Sequence, residues 1–145
     1  PLTYVLVEEF VRTESSEYRL PNEYKVHIFN ENIATIQVIR RKRRKEAIHR
    51  FYTEAWEPFD DVMNSGYPLD VFLEPPQCLD EMLRAAKTLG KAYNAFVRID
   101  FYATDRGCVF GEFTPTPNRG VAYTDYASDY FEKLWRETYP DPNHI

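Results

Sequence analysis

At 145 residues, with 43% hydrophobic and 16% aromatic side chains, the chain is long enough for one domain with a real core and too apolar for disorder. A net charge of −5 argues against a general nucleic-acid binder, and two cysteines, Cys78 and Cys108, without a CxxC, make neither a disulfide framework nor a zinc site. No run approaches the ~20 apolar residues of a membrane span, no signal peptide is expected, and a reducing cytoplasm is the simplest setting.

Tyr4 to Val11 reads as a strand, apolar at first and ending in Glu8-Glu9-Phe10-Val11. Arg12 to Asn22 is polar, contains Leu20-Pro21 and reads as a loop. Glu23 to Phe29 and Ile33 to Ile39 are β-rich runs around Asn30-Glu31-Asn32, a hairpin signature. The basic run from Arg40 to Lys45 is followed by Glu46 and reads as a solvated strand end rather than a nucleic-acid patch. Gly66, Pro68, Pro75 and Pro76 break the middle into irregular chain, with Asp60 and Asp61 in a turn. Leu79, Met82, Leu83, Ala86, Leu89 and Tyr93 recur at helical spacing and predict a helix from Leu79 to Tyr93. Tyr126, Tyr130, Phe131, Leu134, Trp135 and Thr138 predict a second, stopped by Pro140. His27, His49 and His144 have no ligand spacing to one another and read as structural. The expected fold is one α+β domain over 1–145, an antiparallel sheet with helices packed on one face.

Between the two helices, Phe96-Val97-Arg98-Ile99-Asp100-Phe101-Tyr102 and Cys108-Val109-Phe110-Gly111-Glu112-Phe113-Thr114 alternate around a turn. Asp105-Arg106-Gly107 suits a three-residue loop with glycine where φ turns positive. That loop sets Thr104 opposite Cys108, Tyr102 opposite Phe110, Asp100 opposite Glu112 and Arg98 opposite Thr114. Val97, Ile99 and Phe101 then point into the core, and Arg98, Asp100 and Tyr102 share the other face with their partners Phe110, Glu112 and Thr114. Like charges directly opposite on a sheet are destabilising, so something must offset that cost: Arg98 in part, with either a bound divalent ion or, on a merely solvated hairpin face, water. Oxygen ligands of this kind suit Mg²⁺ or Mn²⁺ rather than zinc.

Arg98-Ile99-Asp100, then Glu112-Phe113-Thr114 and Pro117, resembles the metal-binding end of ATP-grasp enzymes, and the wording is closest to the TupA-like, teichuronopeptide-synthesis branch. Glu23-Tyr24-Lys25 with Ile28-Phe29-Asn30, and Phe51-Tyr52 with Trp56, resemble the same branch, so that the likeness runs from Tyr4 to Gly120. The resemblance implies the C-terminal lobe of an ATP- and Mg²⁺-dependent carboxylate–amine ligase acting through an acyl-phosphate in cell-surface polysaccharide or polymer biosynthesis. Under it, Glu8, Glu9, Phe10 and Val11 lie at the adenine edge and Glu23 at the ribose hydroxyls. Asp100 and Glu112 ligate Mg²⁺, Thr114 offers its hydroxyl to a second metal, and Arg98 lies against a phosphate or an acyl-phosphate; Lys25, read from the sequence itself, is either a half-exposed strand lysine or a phosphate contact. Nucleotide, a carboxylate and an amine are the implied ligands.

Two departures stand out. Asn118 replaces the glycine that closes the family pattern, and asparagine tolerates positive φ. No lysine-bearing, glycine-rich front lobe precedes the first strand, so a separate N-terminal lobe, or a second copy of the chain, is the expected partner over the nucleotide. A degenerate, non-catalytic binding module is the alternative reading.

Overall fold

The computed structural model describes residues 3–5, 7–43, 46–64, 68, 69 and 71–141. Five strands are formed among them: β1 (Glu23–Phe29), β2 (Asn32–Arg43), β3 (Glu46–Tyr52), β4 (Phe96–Thr104) and β5 (Gly107–Thr114). They form a sheet in the order β3-β2-β1-β4-β5 in which every neighbouring pair is antiparallel. The helices are α1 (Leu79–Tyr93) and α2 (Asp125–Thr138), with a short 3₁₀ turn at Pro117–Gly120 before α2.

Period-2 alternation divides the sheet residues into two sets. Val26, Ile28, Val97, Ile99 and Phe101 point to one face, where Met82 and Ala86 of α1 complete the main core. α1 carries Asp80 and Glu81 in its first turn and Lys91 in its last, in keeping with the helix dipole, and ends at Asn94, whose φ of 54° places it in the left-handed region. Phe29 and Phe96 point to the other face and meet Phe131 and Trp135 of α2. α2 is capped by Thr124, whose Oγ1 accepts the Ala127 backbone N–H at 3.0 Å. The α+β fold with an antiparallel sheet is as expected; the helices, expected on one face, take opposite faces, which the order of elements does not fix.

Three local differences from the sequence reading have physical causes. Tyr4 to Val11 is not a strand over its described residues: Tyr4, Val5 and Val7 are more than four-fifths exposed, and only Thr13, further on, makes a bridge, to Thr104. Alternation alone does not make a strand where no sheet edge pairs with it. The missing strand is replaced by β3, where Ala47, His49 and Phe51 supply the buried positions behind the basic run. The basic run continues β2 as far as Arg43, as a strand end; Arg44 and Lys45 lie outside the described residues, as do Gly66 and His144.

The third difference is in the hairpin. Gly107 has the expected positive φ, 89°, but Thr104 pairs with Gly107, Tyr102 with Val109 and Phe101 with Phe110. A bulge between Asp100 and Phe101 absorbs the offset and leaves Gly111 as the extra residue, so that Asp100 still faces Glu112 and Arg98 still faces Thr114. Phe110 is thereby turned to the core side, where its ring meets Phe101 and Phe113, instead of sharing the charged face. A Cβ on Gly111 would stand 3.1 Å from both the Asp100 carbonyl oxygen and the Tyr102 ring, which is why the bulge falls there.

The fit of α1 on the sheet depends on Gly90. A Cβ there would stand 2.2 Å from the Asn30 carbonyl oxygen and 3.0 Å from Ile28 Cδ1. Helix propensity favours Gly90→Ala by ~1 kcal/mol. Overpacking against backbone opposes it by about 1–3 kcal/mol and acts on a contact with little room to relax. Gly90→Ala is expected to lower the urea midpoint; a raised midpoint would show that α1 does not sit this close to the β1–β2 turn.

Candidate functional site

The face of the sheet away from α1 carries a line of charges across its central strands. β1 presents Glu23, Lys25 and His27 at alternate positions, β4 presents Arg98 and Asp100, and β5 presents Glu112 and Thr114. Register sets Lys25 opposite Asp100, His27 opposite Arg98, Asp100 opposite Glu112 and Arg98 opposite Thr114.

Asp100 is the centre of this line. Its side chain is only 7% exposed, yet neither carboxylate oxygen lacks a donor. Arg98 Nε donates to Oδ1 at 2.6 Å and Nη2 to Oδ2 at 2.9 Å, a fork made by residues two apart on one strand. Lys25 Nζ donates to Oδ2 from the neighbouring strand. Arg98 Nη2 also donates to Thr114 Oγ1 at 3.0 Å and lies 3.7 Å from Glu112 Oε1. Lys25 reaches Glu23 Oε2 at 3.3 Å, and Glu23 accepts from Arg41 Nε of β2. Buried charges are tolerated when they are paired and hydrogen-bonded, and this chain of alternating signs meets that condition. Glu112 differs: its side chain is 67% exposed and stands at the solvent side of the pair.

His27 forms the floor beside Arg98. It is buried between Phe96 and Phe131, with Tyr123 edge-on, and its Nδ1 has no hydrogen-bond partner. Loss of water, then the nearby Arg98 charge, push its pKa down to about 3, so the folded state holds it neutral. His27, Tyr123 and Arg41 were not among the expected site residues. The Glu-x-Lys-x-His alternation of β1 carried the signal for His27; Arg41 needed the β1–β2 register, which is not written in either strand alone.

The remaining expected residues lie elsewhere. Glu8, Glu9, Phe10 and Val11 are irregular chain. Glu9 Oε2 lies 3.3 Å from Arg106 Nη1 at the hairpin tip, and the Phe10 ring stacks on Tyr18. None of the four contacts Asp100 or Glu112 among the interactions of the described residues. Asn118 has a φ of 50°, so it takes the left-handed conformation expected of the glycine it replaces. A cavity of about 1120 Å³ lies beside the far end of β1, lined by Thr13, Arg19, Tyr24, Arg40 and Leu73; Arg98, Asp100 and Glu112 do not line it. The two carboxylates are unequal in access: Asp100 is buried and Glu112 meets solvent. Among the described residues no group of three or more His, Cys, Asp or Glu side chains is placed to hold a metal ion. Mg²⁺ commonly takes one or two carboxylates and completes its shell with phosphate oxygens and water, so a two-carboxylate set with a neighbouring hydroxyl suits it.

A family model described as TupA-like ATPgrasp matches residues 3–134. No curated protein and no solved structure matches the chain.

Two outcomes follow from this geometry. Lys25→Met leaves Asp100 and Glu23 each one donor short in a half-buried setting and is expected to cost about 1–3 kcal/mol in chemical denaturation. An unchanged midpoint would mean the lysine is solvated. His27 titrates near 6.5 when unfolded and near 3 when folded, so the unfolded state binds more protons between these values. Stability is therefore full above pH 6.5 and falls as pH drops from 6.5 toward 3, by up to ~1.4 kcal/mol per pH unit from this group. His49, also pushed down by burial, adds a loss of the same sign. His27→Phe should flatten the acid limb of a stability–pH profile; a limb of unchanged slope would place the protonation elsewhere.

Proposed function

The chain belongs to the TupA-like ATP-grasp family, and from that premise we propose that it is the metal- and phosphate-binding lobe of an ATP-dependent carboxylate–amine ligase acting on a cell-surface polymer or its precursors. The supporting observation is the cross-strand pair Asp100–Glu112, with Arg98 forked onto Asp100 and reaching both Glu112 and Thr114.

In this reading Asp100 and Glu112 hold Mg²⁺, or Mn²⁺, with the Thr114 hydroxyl beside them. The ion supplies positive charge against the nucleotide's phosphate oxygens. Arg98 faces the phosphoryl group in transfer from ATP to the substrate carboxylate and spreads its developing charge. The resulting acyl-phosphate is attacked by an amine, phosphate departs, and an amide remains. Lys25 contacts a phosphate, Glu23 the ribose hydroxyls, and the backbone from Glu8 to Val11 the adenine edge. With Glu112 exposed to solvent, a front lobe or a second copy of the chain would close over the nucleotide to exclude water and orient the reactants. The cytoplasm, where ATP is available, is the proposed setting.

A second reading, a non-catalytic binding module, is favoured by one observation: both Asp100 oxygens already accept from Lys25 or Arg98. In that case the charges would serve the sheet alone. The native full-length protein separates the two readings. Ligase function predicts ADP formation that falls by about 10²-fold or more in Asp100→Asn and in Glu112→Gln. Normal turnover in either variant overturns the metal site. Mg-ATP binding by calorimetry without ADP formation favours the second reading.

A further inference from the structure

The basic run that begins on β2 has no part in the chemistry above. Register fixes where it lies. Glu23, the first residue of β1, pairs with Ile39, so β2 outruns β1 from Arg40 onward. There its partner is β3: Arg40 pairs with Ile48, Arg41 with Ala47 and Arg43 with Glu46. The result is a two-stranded overhang at one end of the sheet. It carries the start of six successive cations, Arg40 to Lys45, in a chain of net charge −5. Glu23 accepts from Arg41 and Glu46 faces Arg43, and the run keeps a net positive charge with both acids counted.

Apolar side chains gather around the same end. Arg40 and Arg41 share the walls of the 1120 Å³ cavity with Arg19, Leu20 and Leu73. On the other side of the overhang Leu69 bridges to His49, the β3 residue opposite Ile39, and the chain leads from there through Val71 and Phe72 to Leu73. Leu73 is pinned: its N–H donates to the Tyr52 hydroxyl at 2.7 Å and its carbonyl accepts Trp56 Nε1 at 2.8 Å. Yet Leu20, Leu69, Val71 and Phe72 are 59%, 58%, 68% and 47% exposed. Large apolar side chains left in water on an anchored segment, beside a run of cations, match a phase that is anionic at its surface and apolar beneath. Nucleic acid would use the cations but not the aliphatic side chains. It stacks on open aromatic faces, and Tyr24, the aromatic residue in the cavity wall, is 3% exposed.

We propose that this end of the sheet docks on the surface of an anionic lipid bilayer. The cations of the run from Arg40 to Lys45 lie against the headgroups, and Leu20, Leu69, Val71 and Phe72 enter the interface beneath them. Charge brings the protein to the surface, and burial of the apolar side chains holds it there. No helix among the described residues is long and apolar enough to cross a membrane, and the proposed attachment is peripheral and reversible. The proposal does not depend on the ligase reading.

Co-sedimentation of the native protein with vesicles tests this. One set is phosphatidylcholine alone, and the other mixes phosphatidylglycerol with phosphatidylcholine. Binding to the mixed vesicles is expected to be tighter by at least about tenfold. It should fall away in about 1 M salt, where the Debye length shrinks to about 3 Å. Lys42→Gln with Arg43→Gln, which leaves the Arg41–Glu23 pair in place, should weaken it by about tenfold or more. Leu20→Ser with Val71→Ser should weaken it by roughly fivefold or more and leave its salt dependence unchanged. The proposal is overturned if the two vesicle types bind equally or not at all, or if the apolar double variant binds like the wild type. Tighter binding to single-stranded RNA than to the mixed vesicles would assign the cations to nucleic acid and overturn it too. The two lipid compositions are compared with the wild type alone, so that comparison stands should a variant fold poorly.

Discussion

A carboxylate taken almost wholly out of water must be met by positive charge and hydrogen bonds, and Asp100 imposes that requirement on the centre of this sheet. The donors come from two places: Arg98 on its own strand and Lys25 across the β1–β4 ladder. Their positions are fixed by register, so a slip of one residue between β1 and β4 would part Asp100 from Lys25 and turn the apolar set of the slipped strand, Val26 and Ile28 or Val97 and Ile99, away from α1. The polar line and the core thus specify the same pairing. Consistency of this kind separates one native register from its competitors.

The same arrangement bears on chemistry. Lys25 and Arg98 hold Asp100 in place, yet they occupy the oxygens that a metal ion would use. Nucleotide phosphates offer both cations new partners of the same sign as Asp100. Under the proposed function, arrival of a metal–phosphate group would exchange one set of ion pairs for another rather than leave charges bare. Glu112, largely exposed and held only loosely by Arg98, would be the proposed ligand with least to give up. The neutral floor made by His27 adds no competing positive charge beneath Arg98.

What was legible in the sequence was what short-range periodicity encodes. α1 spans the interval set by its apolar repeat, and the opposition of Asp100 to Glu112 followed from alternation around Gly107. The bulge at Gly111 was not legible, because an extra residue leaves the composition of a strand unchanged and shows itself only where a ring and a carbonyl crowd the missing Cβ. Two errors, the one-residue offset at the hairpin tip and the absence of a bulge, cancelled at Asp100 and Glu112 and left Cys108 and Phe110 on the wrong face. The Tyr4 to Val11 segment has strand composition without a partner, and β3 is the converse: a basic run obscured a strand that the β2 edge completes. Long-range pairing decides both cases. For the site, Asp100, Glu112, Thr114, Arg98, Lys25 and Glu23 come together on one face, whereas Glu8 to Val11 do not join them.

The extra residue at Gly111 has another consequence. β5 is the outermost strand on its side of the sheet, and an outermost strand offers unmatched amides and carbonyls to any passing chain. Fibril growth needs a straight, regular rim on which identical segments can stack. A kink part-way along that rim, beside the acidic Glu112, spoils the template for such stacking. The irregularity beside the Tyr102 ring thus also makes this rim a poor template for edge-to-edge stacking.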